Sequence, residues 1–307
     1  MSRISYVNGE YAPHQDAVVH IEDRGYQFAD GVYEVMAVRD GFIIDLEPHL
    51  DRLDRSLAAL SIAAPMSRGA LRIVIREVVH RNLVRTGIVY MQVTRGVAKR
   101  AHAFPKDASP AIVVTSRSMA SPSASAVNDG VKVITMPDIR WGRCDIKSIS
   151  LLPNVLARQQ ATAAGAYEAW LIDSAGDVTE GSASNAWIVD AKGDLVTRHL
   201  GPALLGGVTR AAIVDACKAA KVKVVERTFS LKEALAAREA MVTSTTSFVL
   251  PVVAIDGKAI GRGADKGKAG PVYRQIRPLY EARVAAAIRA ATSVASGGAL
   301  QKAAAGA

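Results

Sequence analysis

The sequence predicts an α+β fold in two domains, on three observations. Its 307 residues suffice for two cores, and 50% hydrophobic with 22% charged residues is the balance of a globular chain. Stretches of strand-like composition bounded by turn signals share the chain with stretches at 3.6-residue periodicity. These follow one another in mixed order, not as alternating βαβ units, which argues against a doubly wound sheet.

Val7-Asn8-Gly9-Glu10 carries the Asn-Gly pair of a tight hairpin. Val32 to Arg39, Asp40-Gly41 and Phe42 to Leu46 read as a second hairpin. Leu46, Leu50, Leu53, Leu57 and Leu60 fall on one face of a helix, and Leu71, Val74, Ile75, Val78 and Leu83 mark another. Ile88 to Thr94 and Ala111 to Thr115 return to strand composition. Ser118 to Gly130 is Ser-rich and aperiodic, so domains are expected at 1–120 and 131–285, with 121–130 as the linker.

The second domain opens with a strand at Val131 to Thr135. Pro153 suits the first turn of a helix that runs to about Ala164 and stops at Gly165. Strands are expected at Glu168–Asp173 and Ala186–Asp190, and a helix at Val208 to Ala220. Ser230 to Glu233 forms an S-x-x-E capping box. Strands around Ala240–Thr243 and Val249–Ile255 precede a terminal helix. Residues 286–307 are Ala-rich and end in SGGALQKAAAGA, which reads as a helix fraying into a disordered tail.

Two cysteines, Cys144 and Cys217, are too few for a disulfide framework and suggest a reducing compartment. The opening MSRISYVNGE has no apolar h-region, and no apolar run reaches the ~20 residues of a membrane span. A soluble cytoplasmic protein is expected. A net charge of +9 raises the possibility of nucleic-acid binding. However, Arg68, Arg72, Arg76, Arg81 and Arg85 are scattered among apolar helix positions, and aromatics are only 5%. A basic solvated surface is the favoured reading.

Four segments can carry chemistry. Lys147 lies in Cys144-Asp145-Ile146-Lys147-Ser148-Ile149, between a strand and a helix and close to Leu151 and Leu152. A lysine drawn into apolar surroundings loses hydration and becomes a Schiff-base candidate, although an exposed structural lysine is the commoner case. In Thr179-Glu180-Gly181-Ser182-Ala183-Ser184-Asn185, small residues surround one carboxylate. Such a carboxylate can keep a pyridinium nitrogen of pyridoxal 5′-phosphate (PLP) protonated; an ordinary polar turn is the alternative. Leu205-Gly206-Gly207-Val208-Thr209-Arg210 offers a helix N-terminus to a phosphate, and Thr243-Ser244-Thr245-Thr246-Ser247 a hydroxyl-rich loop. Turn chemistry or helix capping accounts for either equally well.

Taken together, these segments resemble the class IV (fold type IV) PLP-dependent aminotransferases, most closely those acting on D-amino acids. The resemblance runs from about Tyr6 to Tyr280. It also rests on Glu22-Asp23-Arg24-Gly25-Tyr26-Gln27-Phe28, Asp30-Gly31-Val32-Tyr33-Glu34, Asp138-Ile139-Arg140-Trp141 and Arg143 through Ser148. It implies that Lys147 carries PLP and shuttles the proton between substrate Cα and cofactor C4′, and that Glu180 partners the pyridine nitrogen. Arg52, in His49-Leu50-Asp51-Arg52-Leu53, matches the phosphate-binding arginine. It lies off the leucine face, where the plainer reading is a solvated Arg paired with a nearby Asp. Val208, Thr209 and Thr245 match further phosphate contacts, and Leu205 a leucine packed on the ring.

Tyr33, Arg100 and His102 match a clamp for the substrate α-carboxylate, a task suited to guanidinium and hydroxyl donors. In the family the Arg and His come from the neighbouring subunit, so a homodimer is implied. The implied activity is ping-pong transamination between D-amino acids and 2-oxo acids, D-alanine and 2-oxoglutarate being the expected pair, with no metal. The Arg100/His102 pair argues against the rivals on the same fold: branched-chain or R-amine aminotransferases and aminodeoxychorismate lyase. The sequence departs from the pattern at Gly142 and at Ala183, which interrupts a serine run; neither touches Lys147 or Glu180.

Overall fold

The computed structural model describes residues 3–304. Strands β1 (Ile4–Val7) and β2 (Glu10–Pro13) form the first hairpin, with Asn8 at φ 46° and Gly9 at φ 113°. A short helix α1 (Arg24–Phe28) precedes strand β3 (Gly31–Arg39), which turns into β4 (Phe42–Ile43). β4 ends at Ile43, short of the expected Leu46, because Leu46 already opens helix α2 (Leu46–Ala59). Helix α3 (Arg68–Arg81) is capped by Ser67 and buries Leu71, Val74, Ile75 and Val78. Leu83 does not share that face. It follows the helix at φ 52° and is exposed.

Strands β5 (Gly87–Thr94) and β6 (Ala111–Ser118) complete a six-stranded antiparallel sheet ordered β2-β1-β6-β5-β3-β4. One core holds its inward residues Val32, Met36 and Met91 against Leu50 and Leu53 of α2 and Ile75 of α3.

The expected linker 121–130 contains a helix, α4 (Ala124–Asn128), because the Ser123 hydroxyl accepts from Ala126 N at 3.1 Å and starts a turn. Then follow β7 (Val131–Pro137), α5 (Leu152–Ala163), β8 (Glu168–Ile172), β9 (Val178–Gly181), β10 (Asn185–Val189) and β11 (Leu195–Thr197). Helix α6 (Val208–Ala219), β12 (Val224–Glu226), α7 (Leu231–Leu235), β13 (Glu239–Ser244), β14 (Phe248–Ile255), β15 (Lys258–Ala259) and α8 (Pro271–Ala304) complete the chain. The second sheet runs β12-β11-β10-β13-β14-β7-β8-β9, with β15 beside β14. β7 pairs in parallel with both β14 and β8, so the sheet is mixed. The disordered tail expected from 286 is instead helical to Ala304, since its alanines are the strongest helix formers. Residues 305–307 lie outside the described residues. Among the described residues no helix is long and apolar enough to cross a membrane.

The two sheets are stitched together beside β3. The segment after β7 returns to the first sheet, where Tyr33 N donates to Lys147 O at 3.0 Å and Ile149 N to Gly31 O at 3.1 Å. A Cβ on Gly31 would lie 2.7 Å from Val93 O and 3.1 Å from Ile149 Cδ1, so the close approach demands glycine. Lys147 is thereby fixed beside the N-terminal part of β3, which β4 leaves unpaired because it meets β3 only at Val38 and Arg39.

Candidate active site

Strand alternation gives β3 two roles. Val32, Glu34, Met36 and Val38 point into the first core, while Tyr33 and Val35 line a cavity of about 250 Å³ between the sheets. Lys147, Glu180, Leu205, Val208, Thr209, Thr245 and Arg52 line the same cavity. Sequence reasoning therefore named residues far apart in the chain that the fold brings together. Lys147 Nζ lies 4.1 Å from the centroid of the Tyr33 ring, and Lys147 N donates to Ser56 Oγ at 3.3 Å. Cys144 also lines the cavity, but burial pushes its thiol up to about 11, so it stays protonated.

Glu180 stands at the end of β9, a short, wholly buried strand where a turn was the alternative expectation. Its Oε1 accepts from Arg140 Nη1 and from Leu205 N (3.1 Å); its Oε2 accepts from Asn185 Nδ2 (3.0 Å). Burial pushes the Glu180 carboxyl above the usual carboxylate range, and the Arg140 guanidinium opposes that rise. Burial likewise works against the Arg140 charge, but Asp138 and Glu180 outweigh it, and its pKa lies above the ordinary value. Asp138 grips Arg140 through two bonds of 2.7 and 2.9 Å and accepts from Thr179 Oγ1 at 2.7 Å. Behind this pair, Glu168 accepts from the hydroxyls of Ser182 and Ser184 and from the amides of Ala169 and Ala183. The loop beside Glu180 is thus held from below.

At another part of the cavity, Gly207 caps α6, and Val208 and Thr209 form its first turn. A Cβ on Gly207 would lie 2.1 Å from Asn185 Oδ1, so the helix start packs against the amide that braces Glu180. Thr245 sits in a turn closed by Ser244 Oγ, 2.7 Å from Ser247 Oγ. Arg52 is not the solvated arginine of the plainer expectation. It is buried, paired with Glu34, while the neighbouring Asp51 pairs with Arg68. Hydroxyls, helix-terminal amides and a guanidinium suit a phosphate, and a buried carboxylate elsewhere in the cavity suits a ring nitrogen. With a lysine in the same cavity, the donor set fits PLP.

Arg100 and His102 do not line this cavity. Both are exposed, packed on Phe28 with centroid distances of 4.6 Å for Arg100 Cζ and 5.5 Å for the His102 ring. Their loop is tied to α1: Arg24 Nη1 donates to Ala101 O at 2.6 Å, and Arg24 Nε donates to Asp30 at 2.7 Å. Asp30 also holds Arg95 through bonds of 2.8 and 3.0 Å.

Sequence reasoning assigned no role to Arg140, Asn185, Glu168, Glu34 or His49. Arg140, Asn185, Glu34 and His49 lay inside quoted motifs without a role of their own. Glu34 carried its own signal, a carboxylate at an inward position of an apolar strand.

Residues 31–255 match the family described as amino-transferase class IV. A D-alanine aminotransferase of Bacillus licheniformis is 39% identical over 274 residues, covering 89% of this chain and 94% of the relative. One from Staphylococcus aureus (strain MSSA476) is 38% identical over 278 residues, covering 90% and 96%. Among solved structures, a T.th. branched-chain amino acid aminotransferase with pyridoxamine 5′-phosphate aligns with a TM-score of 0.83 at 25% identity, covering 92% of this chain and 94% of that one. The 4-amino-4-deoxychorismate lyase of Pseudomonas aeruginosa aligns with a TM-score of 0.76 at 26% identity, covering 89% and 97%.

Proposed function

The chain belongs to the class IV aminotransferases, and from that premise we infer that it transfers amino groups between D-amino acids and 2-oxo acids, D-alanine among them. The observation that carries the reading is one cavity holding Lys147, the buried Glu180 and the phosphate-suited set around Arg52 and Thr209. The substrate class is supported by relatives named D-alanine aminotransferase at 38–39% identity over about nine-tenths of the chain.

PLP, when bound, supplies an aldehyde carbon for the amino group and a ring that accepts the electron pair released at substrate Cα. Lys147 would hold the cofactor through its ε-amino group and, when that group is free, would move the proton between substrate Cα and cofactor C4′. Glu180, braced by Arg140 and Asn185, receives the ring nitrogen; Arg52, Val208, Thr209 and Thr245 bind the phosphate; Leu205 packs on the ring. Tyr33 lies beside Lys147 and orients the substrate carboxylate. Arg100 and His102 complete the clamp from the partner subunit of a homodimer, which accounts for their distance from the cavity of their own chain. Residues 1–120 carry the clamp and the phosphate-binding Arg52, and 131–285 carry Lys147 and the other cofactor contacts. The protein works in the cytoplasm.

Co-expression of Lys147→Ala and Arg100→Ala chains tests the arrangement. Each homodimer should have little D-alanine turnover, whereas the mixed dimer should regain it, because one of its sites combines Lys147 with an intact partner clamp. A mixed population no more active than the two variants apart would contradict a clamp acting across the interface.

A further inference from the structure

Arg52 forms a buried triad with Glu34 and His49, two residues to which neither the motifs nor the relatives' names give a role. Glu34 and His49 are 0% and 2% exposed. Arg52 Nε donates to Glu34 Oε1 at 2.8 Å and Nη2 to Oε2 at 2.7 Å, while Nη1 donates to Gly206 O at 3.1 Å. His49 Nδ1 lies 2.7 Å from Glu34 Oε2 and donates there. The approach of Arg52 Nη2 to the same Nδ1, at 3.4 Å, is then a contact only, because that nitrogen already carries the donated proton. A guanidinium has five N–H groups. One on Nε, one on Nη1 and one on Nη2 are committed, which leaves two on the terminal nitrogens.

We propose that Glu34, steadied by His49, is a positioning residue for cofactor binding: it fixes the plane of Arg52 so that the two uncommitted N–H groups meet the phosphate as a preset fork. The inference rests on the PLP reading and on Arg52 as its phosphate ligand. The triad could act oppositely, because a carboxylate beside Arg52 also cancels charge that would attract a phosphate. The two effects differ in sign. If charge dominated, Glu34→Gln would tighten PLP; if positioning dominates, it weakens PLP. Strand β3 and helix α2 supply the triad from opposite sides, and a bidentate arginine–carboxylate pair is the geometry that locks a guanidinium plane.

The test compares PLP with pyridoxal, which lacks the phosphate, by fluorescence titration of cofactor-depleted full-length protein. Glu34→Gln should raise the PLP dissociation constant roughly tenfold to a hundredfold, the worth of one charge-assisted hydrogen bond, and leave pyridoxal within about twofold. His49→Leu should shift the PLP-to-pyridoxal ratio the same way by a smaller factor, with His49→Asn restoring it. It keeps the test decisive should Glu34→Gln not fold. Equal weakening of both ligands, or unchanged or tighter PLP binding, would overturn the proposal. Arg52→Ala separates the levels: if it spares the ratio, Arg52 is not the phosphate ligand; if it lowers affinity for PLP alone while Glu34→Gln does not, only the positioning role fails.

Discussion

Three carboxylates in three surroundings set the electrostatics of the site. Burial raises Glu180, and Arg140 restrains the rise. Burial would raise Asp138 and Glu34 as well, but the guanidiniums of Arg140 and Arg52 prevail, and both end below the usual range. Glu34 falls from 4.5 to about 2. His49 is shifted down by its own burial despite Glu34, so it stays neutral near pH 7. A depressed carboxyl stabilises the folded state fully above its unfolded value and loses that contribution as pH falls through the folded value. For Glu34 the window runs from 4.5 down to about 2, and the contribution above it is on the order of 3 kcal/mol. Urea unfolding should therefore show a steeper loss of stability across that window in the native protein than in Glu34→Gln. Parallel slopes would mean that Glu34 does not carry this linkage. Lys147, Glu180 and Arg52 were legible in the sequence because short motifs surround them. The residues that orient them were not, since a carboxylate's partner 18 positions away leaves no local mark.

Among the elements, α2 and α3 followed from periodicity, since one face of each is buried and the other is not, whereas the longer strands followed from composition and turn signals; β14 is buried on both faces. β9, β11 and β12 followed from neither, being three or four residues long and without alternation. β9 matters most, because it places Glu180. The motif around Arg24 gains a role from its setting: α1, Asp30 and Arg95 form the frame on which the loop of Arg100 and His102 rests. Breaking it should disturb the clamp and spare the cofactor. Arg24→Gln should raise KM for D-alanine several-fold, less than the roughly tenfold to hundredfold worth of a direct charged hydrogen bond because Arg24 acts only through the loop, with kcat and the spectrum of the bound cofactor little changed. Loss of cofactor binding in that variant would show that the frame supports the whole site, not the clamp alone.

For the whole molecule, the site belongs to neither sheet alone. Tyr33 and Arg52 come from the part of the chain that builds the first sheet, which ends at Ser118; Lys147, Glu180, Thr209 and Thr245 come from the part beyond it. The mixed element order was enough to read an α+β fold, but not that a segment after β7 would return to pair with β3. Several of the scattered arginines of the sequence also find partners at this scale. Arg68, Arg72 and Arg81 are paired with Glu47, Asp51, Asp54 and Glu77, so α3 carries a salt-bridged face. That Arg100 and His102 lie outside the cavity of their own chain is the feature composition could not reveal, because it depends on where the 98–104 loop lies relative to the cavity.

The most direct test of D-amino acid transamination is the visible spectrum of the purified protein, recorded before and after D-alanine, with L-alanine and L-leucine in parallel. The account predicts a visible cofactor band that D-alanine alone converts to the pyridoxamine phosphate spectrum and that pyruvate restores. Conversion by L-leucine and not by D-alanine would keep the fold and cofactor but contradict the substrate assignment, and no visible band even after added PLP would contradict the enzyme itself.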